Sequence, residues 1–145
     1  MKSRGNPAGG LLCAVIGIIM LTAGLLKFAD PAGFADALSR RSWMPEQVIP
    51  FMAVVLPGVE TVSAMALMFL RRWRPGAAVL LAGLFLGFAL ELGLDLARGG
   101  RLPCGCFGSA SQPAGWGHVA WNLSLVAGCV WILRKSPRSP REVGP

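Results

Sequence analysis

The sequence predicts an all-α integral membrane protein: a four-transmembrane-helix bundle with a short interfacial helix after the first helix. The first observation is composition, because hydrophobic residues make up 54% of the 145 residues and charged residues only 14%. A soluble domain carries roughly a quarter charged residues. The second is that the apolar residues fall into four long runs of about 20 residues, enough to cross a hydrocarbon core about 30 Å thick.

The four apolar runs follow one another in a single membrane domain with short polar segments outside it. The domain covers 9–133, after a polar N-terminus over 1–8 and before a tail over 134–145. The tail has no apolar face and is predicted to be disordered. Between the first two runs, 30–46 alternates apolar and charged residues at helical spacing, which predicts the interfacial helix. The predicted transmembrane helices are about 9–28, 48–70, 77–97 and 116–133.

Two short patterns refine the middle of the chain. Residues 71–76 (RRWRPG) predict a tight basic turn between antiparallel helices. In the run that follows, Gly83 and Gly87 lie one helical turn apart, a spacing at which small residues let helix backbones approach closely. We therefore expect this pair to lie at a helix–helix contact.

Basic residues are divided unevenly between the two sides of the bundle, which predicts its orientation. The side that holds both termini carries nine of the 14: Lys2, Arg4, Arg71, Arg72, Arg74, Arg134, Lys135, Arg138 and Arg141. The other side carries Lys27, Arg40, Arg41, Arg98 and Arg101. Because Lys and Arg are enriched on the cytoplasmic side, both termini are predicted inside. The basic residues lie at the chain ends and in the short connections, so the net charge of +7 does not predict nucleic-acid binding.

A Cys-Gly-Cys motif lies between the third and fourth runs, on the predicted outer side. Outside the cytoplasm thiols are not held reduced, so neighbouring thiols can form a disulfide. A bridge across one residue closes a small, strained ring, which favours exchange over stabilisation. Cys104 and Cys106 are therefore the predicted redox pair, in which one thiolate attacks and the other thiol resolves the mixed disulfide.

Two other interpretations of this pair stay open. The thiols can simply pack within the loop, since free cysteine is common in apolar surroundings. They can also supply two soft ligands to zinc or copper, but such a site needs more ligands and His118 is the only histidine. We assign no metal on this basis. Cys13 and Cys129 lie at matching depths in the first and fourth runs and are interpreted as small buried residues.

Several ionisable residues lie within the apolar runs. Glu60 is about midway along the second run, and Glu91 and Asp95 share one face near the outer end of the third. Because a carboxylate facing lipid is costly, we expect these groups to face the bundle interior, water or a cation. Lys27, at the outer end of the first run, is expected to pair with Glu91 or Asp95 or to reach the interface. Proton handling beside the dithiol is the functional interpretation, with His118 as a further candidate.

Three stretches resemble the MauE family of methylamine utilisation membrane proteins, within the wider DoxX-like group. They are 24–31 (GLLKFADP), 57–60 (PGVE) and 104–108 (CGCFG), of which the last is the most specific. Together with the four crossings, they extend the resemblance from about residue 10 to residue 133.

The resemblance implies a multi-pass protein of the bacterial inner membrane, with Cys104 and Cys106 as its redox pair. Lys27 and Glu60 are positions of the family pattern. The implied function is thiol-disulfide exchange in the maturation of methylamine dehydrogenase or another exported disulfide-containing protein. The implied partner is a periplasmic thioredoxin-like protein or an exported enzyme subunit.

The electron acceptor and the class of activity are not fixed by the residues. By analogy with other four-helix thiol oxidases, a membrane quinone would be the cofactor, although no residue of the sequence identifies it. A non-enzymatic membrane assembly factor for an exported subunit or a thioredoxin-like protein is the alternative function. A metal-handling membrane protein is the third interpretation.

Overall fold

The computed structural model describes residues 7–41, 43–100 and 115–135, and every regular element within them is helical. Four helices of this described part are apolar and long enough to cross a membrane. The prediction of an all-α bundle with four crossings and a short helix after the first is confirmed. The elements are α1 (Pro7–Ala29), α2 (Pro31–Ser39), a 3-10 turn (Glu46–Val48), α3 (Ile49–Phe69), α4 (Arg74–Ala97) and α5 (Trp116–Lys135).

The turn between α3 and α4 is shorter than the predicted turn over 71–76, because α4 already begins at Arg74. Arg74 donates from its Nε and Nη2 atoms to the carbonyl oxygens of Leu67 and Met68, at 2.9 and 3.0 Å. These carbonyls belong to the last turn of α3 and have no partner within the helix. Pro75 occupies the first turn of α4, where a missing N–H costs nothing.

The end of α5 also lies beyond its predicted boundary. Residues 134–135 complete its last turn, although the sequence predicts that they begin the disordered tail. Basic side chains at a helix C-terminus interact favourably with the negative end of the helix dipole, which lets the helix continue past its last apolar residue. The rest of the predicted tail, 136–145, lies outside the described residues.

Two helix pairs make the most extensive contacts in the bundle, α1 with α3 and α4 with α5. α1 and α3 run antiparallel and approach closely at Gly24, where an added Cβ would lie 2.5 Å from Thr61 Oγ1 and 3.2 Å from the Pro57 carbonyl oxygen. Seven residues earlier, Gly17 lies against the side chain of Met68. This register determines which residues of α3 face the end of α1.

The main apolar core joins α1, α3, α4 and α5 near the end of the bundle where α1 begins. Its fully buried members include Ile16, Leu67 and Leu81. Cys13 and Cys129 belong to the same cluster and are free cysteines. The interpretation of these two cysteines as small buried residues is therefore confirmed.

α2 covers the other end of the bundle and is fixed by its first residues. The Asp30 carboxylate accepts the backbone N–H of Gly33 at 2.9 Å, and Pro31 occupies the first turn. The helix ends at Ser39, well before the end of the 30–46 segment in which the sequence predicts it. An apolar cluster holds it against the start of α3: Phe34, Leu38, Ile49 and Ala53.

The expected close helix contact at Gly83 and Gly87 is wrong. A Cβ added at either position would meet nothing within 4 Å. Both residues are exposed on α4 and line a cavity between α2, α3 and α4. The close approach of helices occurs instead between α1 and α3, where Gly17 and Gly24 are buried against α3.

α4 ends in a glycine cap just before the segment that carries the Cys-Gly-Cys motif. Gly99 has a φ of +80°, a conformation that disfavours residues with a Cβ. Its N–H donates to the Leu96 carbonyl at 3.0 Å, and the Gly100 N–H donates to the Asp95 carbonyl at 2.9 Å. This pair of bonds is the Schellman motif, and it fixes where the chain leaves the helix.

Candidate functional site

Two of the predicted ionisable residues meet inside the bundle. Lys27 Nζ donates to both carboxylate oxygens of Glu60, at 2.8 and 2.7 Å, and both residues have 0% exposure. The expectation that Lys27 pairs with Glu91 or Asp95 is wrong. Position along a helix does not by itself determine which residues of the neighbouring helices lie beside it. The packing at Gly24 instead brings the next turn of α1 beside the part of α3 that carries Glu60.

Aromatic rings surround the buried ammonium group. Lys27 Nζ lies 5.4 Å from the ring centroid of Phe34 on α2 and 5.6 Å from that of Phe88 on α4. Both distances are within the range of a cation–π interaction, which strengthens when the cation is desolvated. The pair with Glu60 and these two rings together replace the water that the ammonium group loses on burial.

A small cavity of about 40 Å³ lies against this ion pair, lined by Lys27, Glu60 and, from α5, His118 and Asn122. The backbone N–H of Gly115 donates to His118 Nδ1 at 3.2 Å, so a neutral ring carries its proton on Nε2. Asn122 Nδ2 donates to the His118 carbonyl oxygen at 2.8 Å. The space exceeds the roughly 15 Å³ that one water needs, and most of its surface is apolar.

A larger cavity of about 250 Å³ lies between α2, α3 and α4. At one end Arg41 forms an ion pair with Glu91, and Trp43 Nε1 donates to Glu91 Oε1 at 3.3 Å. Arg41 is only 6% exposed, so this second ion pair is also largely removed from water. Phe88 lines both this cavity and the small cavity beside Lys27.

Asp95, another predicted site residue, lies at the end of α4. The carboxylate of Asp95 lies against Gly100, where an added Cβ would be 2.5 Å from the carboxylate carbon. Asp95 is therefore part of the end of α4. Cys104 and Cys106, the predicted redox pair, lie outside the described residues.

Sequence reasoning missed three contributors to these two cavities. In the sequence Arg41 looks like an ordinary basic residue in the connection between two apolar runs. None of its neighbours along the chain indicates that it is buried. Phe88 and Asn122 lie in apolar runs, where a phenylalanine is ordinary. Asn122 does offer a signal, because a polar amide inside a membrane helix faces the protein interior more often than lipid.

The described residues contain no group of three His, Cys, Asp or Glu side chains arranged to hold a metal ion. This finding covers residues 7–41, 43–100 and 115–135 and therefore does not include the Cys-Gly-Cys motif.

Comparison with protein families gives a match that covers most of the chain. The family model described as methylamine utilisation protein MauE matches residues 6–135. The chain belongs to the MauE family. The match spans α1 to α5 and includes the Lys27–Glu60 pair and the motif at 104–106. Searches of curated proteins and of solved structures give no match.

Membership of the MauE family and the four apolar helices together make this chain a multi-pass membrane protein. The family associates it with methylamine utilisation. The candidate site of this MauE family member is the buried Lys27–Glu60 pair with its two neighbouring cavities.

Proposed function

We propose that this MauE family member exchanges disulfides with an exported protein through Cys104 and Cys106. The partner is a periplasmic thioredoxin-like protein or an exported enzyme subunit, and the pathway is maturation of methylamine dehydrogenase or another disulfide-containing protein. A thiolate of the partner attacks the Cys104–Cys106 disulfide and forms a mixed disulfide. The second partner thiol resolves it, so that the partner leaves as a disulfide and the motif holds two electrons and two protons as a dithiol.

Reoxidation of the dithiol requires a two-electron acceptor. A lipid-soluble quinone has the right chemistry, because dithiol and quinone give disulfide and quinol with two electrons and two protons transferred. The membrane supplies such an acceptor to a protein that is largely embedded in it. The quinone is therefore part of the proposal as the acceptor.

The proposed setting is the bacterial inner membrane, with both termini in the cytoplasm and the motif outside. The excess of Lys and Arg on the side of the termini supports this orientation. An outward-facing motif is also the arrangement in which a disulfide persists, since the cytoplasm keeps thiols reduced.

The observation that carries the proposal is the connection between the motif and the buried charges. The segment with Cys104 and Cys106 leaves α4 at its glycine cap and enters α5 just before His118. His118 lines the small cavity together with Lys27 and Glu60. Disulfide exchange requires deprotonation of a thiol, so an acid–base group at the point where this segment enters α5 supports a redox function. We propose that His118 and the Lys27–Glu60 pair handle these protons.

Thiol labelling tests the proposal in a variant that carries Cys13→Ala and Cys129→Ala and so keeps only the two motif cysteines. Intact cells are treated with a membrane-impermeant maleimide, with and without prior mild reduction. We expect labelling of both thiols after reduction and little before it. Labelling that requires cell lysis, or two thiols that are always free, would contradict the proposal.

Single serine variants test the exchange itself. With one motif cysteine replaced, the Cys104–Cys106 disulfide cannot form, so the motif can no longer accept two electrons and we expect the partner to accumulate as a dithiol. The matched control is Cys129→Ser, which changes a buried cysteine outside the motif and should leave oxidation of the partner unchanged. If both motif cysteines can be replaced while the partner is oxidised normally and still co-purifies, the chain is a non-enzymatic assembly factor.

A further inference from the structure

The cavity between α2, α3 and α4 has the form of a small-molecule site that faces the bilayer. Its volume is about 250 Å³, and its walls are mainly apolar. Gly83 and Gly87 form its α4 side and are exposed on a helix that spans the membrane, so a ligand can enter from the lipid. The rest of the wall combines leucines with aromatic rings and thioethers, which pack well against a flat ring: Phe34, Met44, Met52 and Phe88.

The polar end of this cavity distinguishes it from a groove for a lipid chain. Arg41, paired with Glu91, places hydrogen-bond donors at an otherwise apolar surface, whereas the single indole N–H of Trp43 is already donated to Glu91. A guanidinium group has five N–H donors, so it can keep a carboxylate partner and still donate to a ligand oxygen. A hydrocarbon chain offers no acceptor to such a group, whereas a ring carbonyl does.

We infer that this cavity binds the head group of a membrane quinone, with one ring carbonyl accepting a hydrogen bond from Arg41. The inference rests on the proposed function, because it assigns a site to the electron acceptor of Cys104 and Cys106. The volume is slightly below the roughly 300 Å³ of small drug sites, which suits a single ring system. The isoprenoid tail of the quinone then leaves past Gly83 and Gly87 into the lipid.

Quinone reduction balances with oxidation of the motif. The quinone accepts two electrons and two protons from the dithiol and leaves as quinol, while the dithiol becomes a disulfide. Phe88 lines both this cavity and the small cavity beside the ion pair, and its ring lies 5.6 Å from Lys27 Nζ. The proposed ring and the buried ion pair thus share an aromatic neighbour.

Binding of decylubiquinone to the full-length protein in lipid nanodiscs tests the inference. The readout is saturable quenching of tryptophan fluorescence, since Trp43 lines the cavity. Gly87→Leu fills the cavity and should weaken binding by at least about tenfold, equal to a loss of about 1.4 kcal/mol. Gly93→Leu is the matched control, because Gly93 also lies on α4 with open space around it but does not line the cavity. We expect it to change affinity less than about twofold.

One further variant and one competitor distinguish a quinone site from a cavity that holds lipid. Trp43→Phe should abolish most of the quenching, which ties the signal to this cavity. Decanol, which has the tail length of the probe without its ring, should not compete. Non-saturable quenching, competition by decanol or equal binding by the Gly87→Leu and Gly93→Leu variants would overturn the inference and leave the cavity to lipid.

A Cys104→Ser/Cys106→Ser double variant separates the inference from the proposed function. We expect it to bind decylubiquinone with the affinity of the unmodified protein, because the hydrogen bond and the apolar wall assigned to the ring come from described residues outside the motif. Saturable binding together with inert motif thiols would support the quinone site and reject the proposed function. Active thiol exchange without saturable binding would reject the site and leave the function standing.

Discussion

The two ends of the α1–α3 contact share one architecture and differ in chemistry. At one end Gly17 lies against Met68, beside a core of apolar side chains. At the other end Gly24 lies against Thr61, and the next turn holds Lys27 against Glu60. Glycine brings the two helices together at both ends, but only the second end buries charge.

Within this single helix pair, the difference distinguishes residues that only pack the helices together from residues that also have a functional role. Apolar packing around close glycines is sufficient to associate helices in a membrane. Burying two charges usually gains little stability over two apolar side chains, because the cost of desolvation offsets their attraction. Packing therefore explains the first end, whereas the charged end calls for a chemical role such as the proton handling proposed above.

The largest effect should come from breaking the ion pair. Glu60→Leu leaves the Lys27 ammonium group buried without its carboxylate, so we expect the free energy of unfolding to fall by about 3–5 kcal/mol. The measurement is denaturant-induced unfolding in detergent micelles, followed by circular dichroism. The unmodified protein and the variant are compared at the same detergent concentration.

The double variant Lys27→Met/Glu60→Leu shows whether the pair stabilises the fold. Both charges are then absent, and we expect the free energy of unfolding to lie within about 1 kcal/mol of the unmodified protein. Thiol exchange by the double variant should nevertheless be slow. If the double variant is less stable than Glu60→Leu alone, the pair is structural and the contrast between the two ends is lost.

An intermediate effect should come from the two glycines. In Gly24→Ala the new methyl group meets a β-branched side chain and a backbone carbonyl, so we expect a loss of about 1–3 kcal/mol. In Gly17→Ala it chiefly meets the flexible side chain of Met68, and the loss should be smaller.

Gly93→Ala is the reference for these two variants, because nothing lies within 4 Å of an added Cβ there. We expect it to stabilise the helix by about 0.5–1 kcal/mol through the better helix propensity of alanine. Thermal unfolding of the three variants gives the order. Equal losses for Gly17→Ala and Gly24→Ala would mean that the two ends are equally rigid.

The smallest effect should come from an exposed ion pair on α2. Arg40 and Asp36 form a 2.9 Å contact at i and i+4, but their side chains are 59% and 61% exposed. We expect Asp36→Ala to lower the free energy of unfolding by at most about 0.5 kcal/mol. A loss comparable to that of Glu60→Leu would show that burial is not what distinguishes the Lys27–Glu60 pair.

The sequence predicted the transmembrane helices well because their signal is local. A run of about 20 apolar residues has few alternatives to a membrane helix, whatever it contacts. It also correctly marked Glu60 as a residue that must be buried inside the bundle, since a carboxylate facing lipid is costly. The helix ends were less well predicted, as at Arg74, because capping contacts decide them.

The identity of the contacts could not be predicted in the same way. Glycine spacing suggested a helix contact at Gly83 and Gly87, yet these residues line a cavity. Another glycine, Gly24, makes the close contact between α1 and α3. Glycine spacing identifies a face of a helix with small side chains. Only the neighbouring helices determine whether that face contacts a helix backbone, lines a cavity or faces lipid.

The sequence by itself determined that this chain is a bundle of four membrane helices with ionisable residues inside them and two cysteines in a connection. Hydrophobicity and the cost of burying a charge act residue by residue, so they can be read without a structure. Only the tertiary structure decided that Lys27 pairs with Glu60 and that Arg41 pairs with Glu91. Such pairings depend on the relative depth and rotation of helices, which arise from packing between residues far apart in the chain.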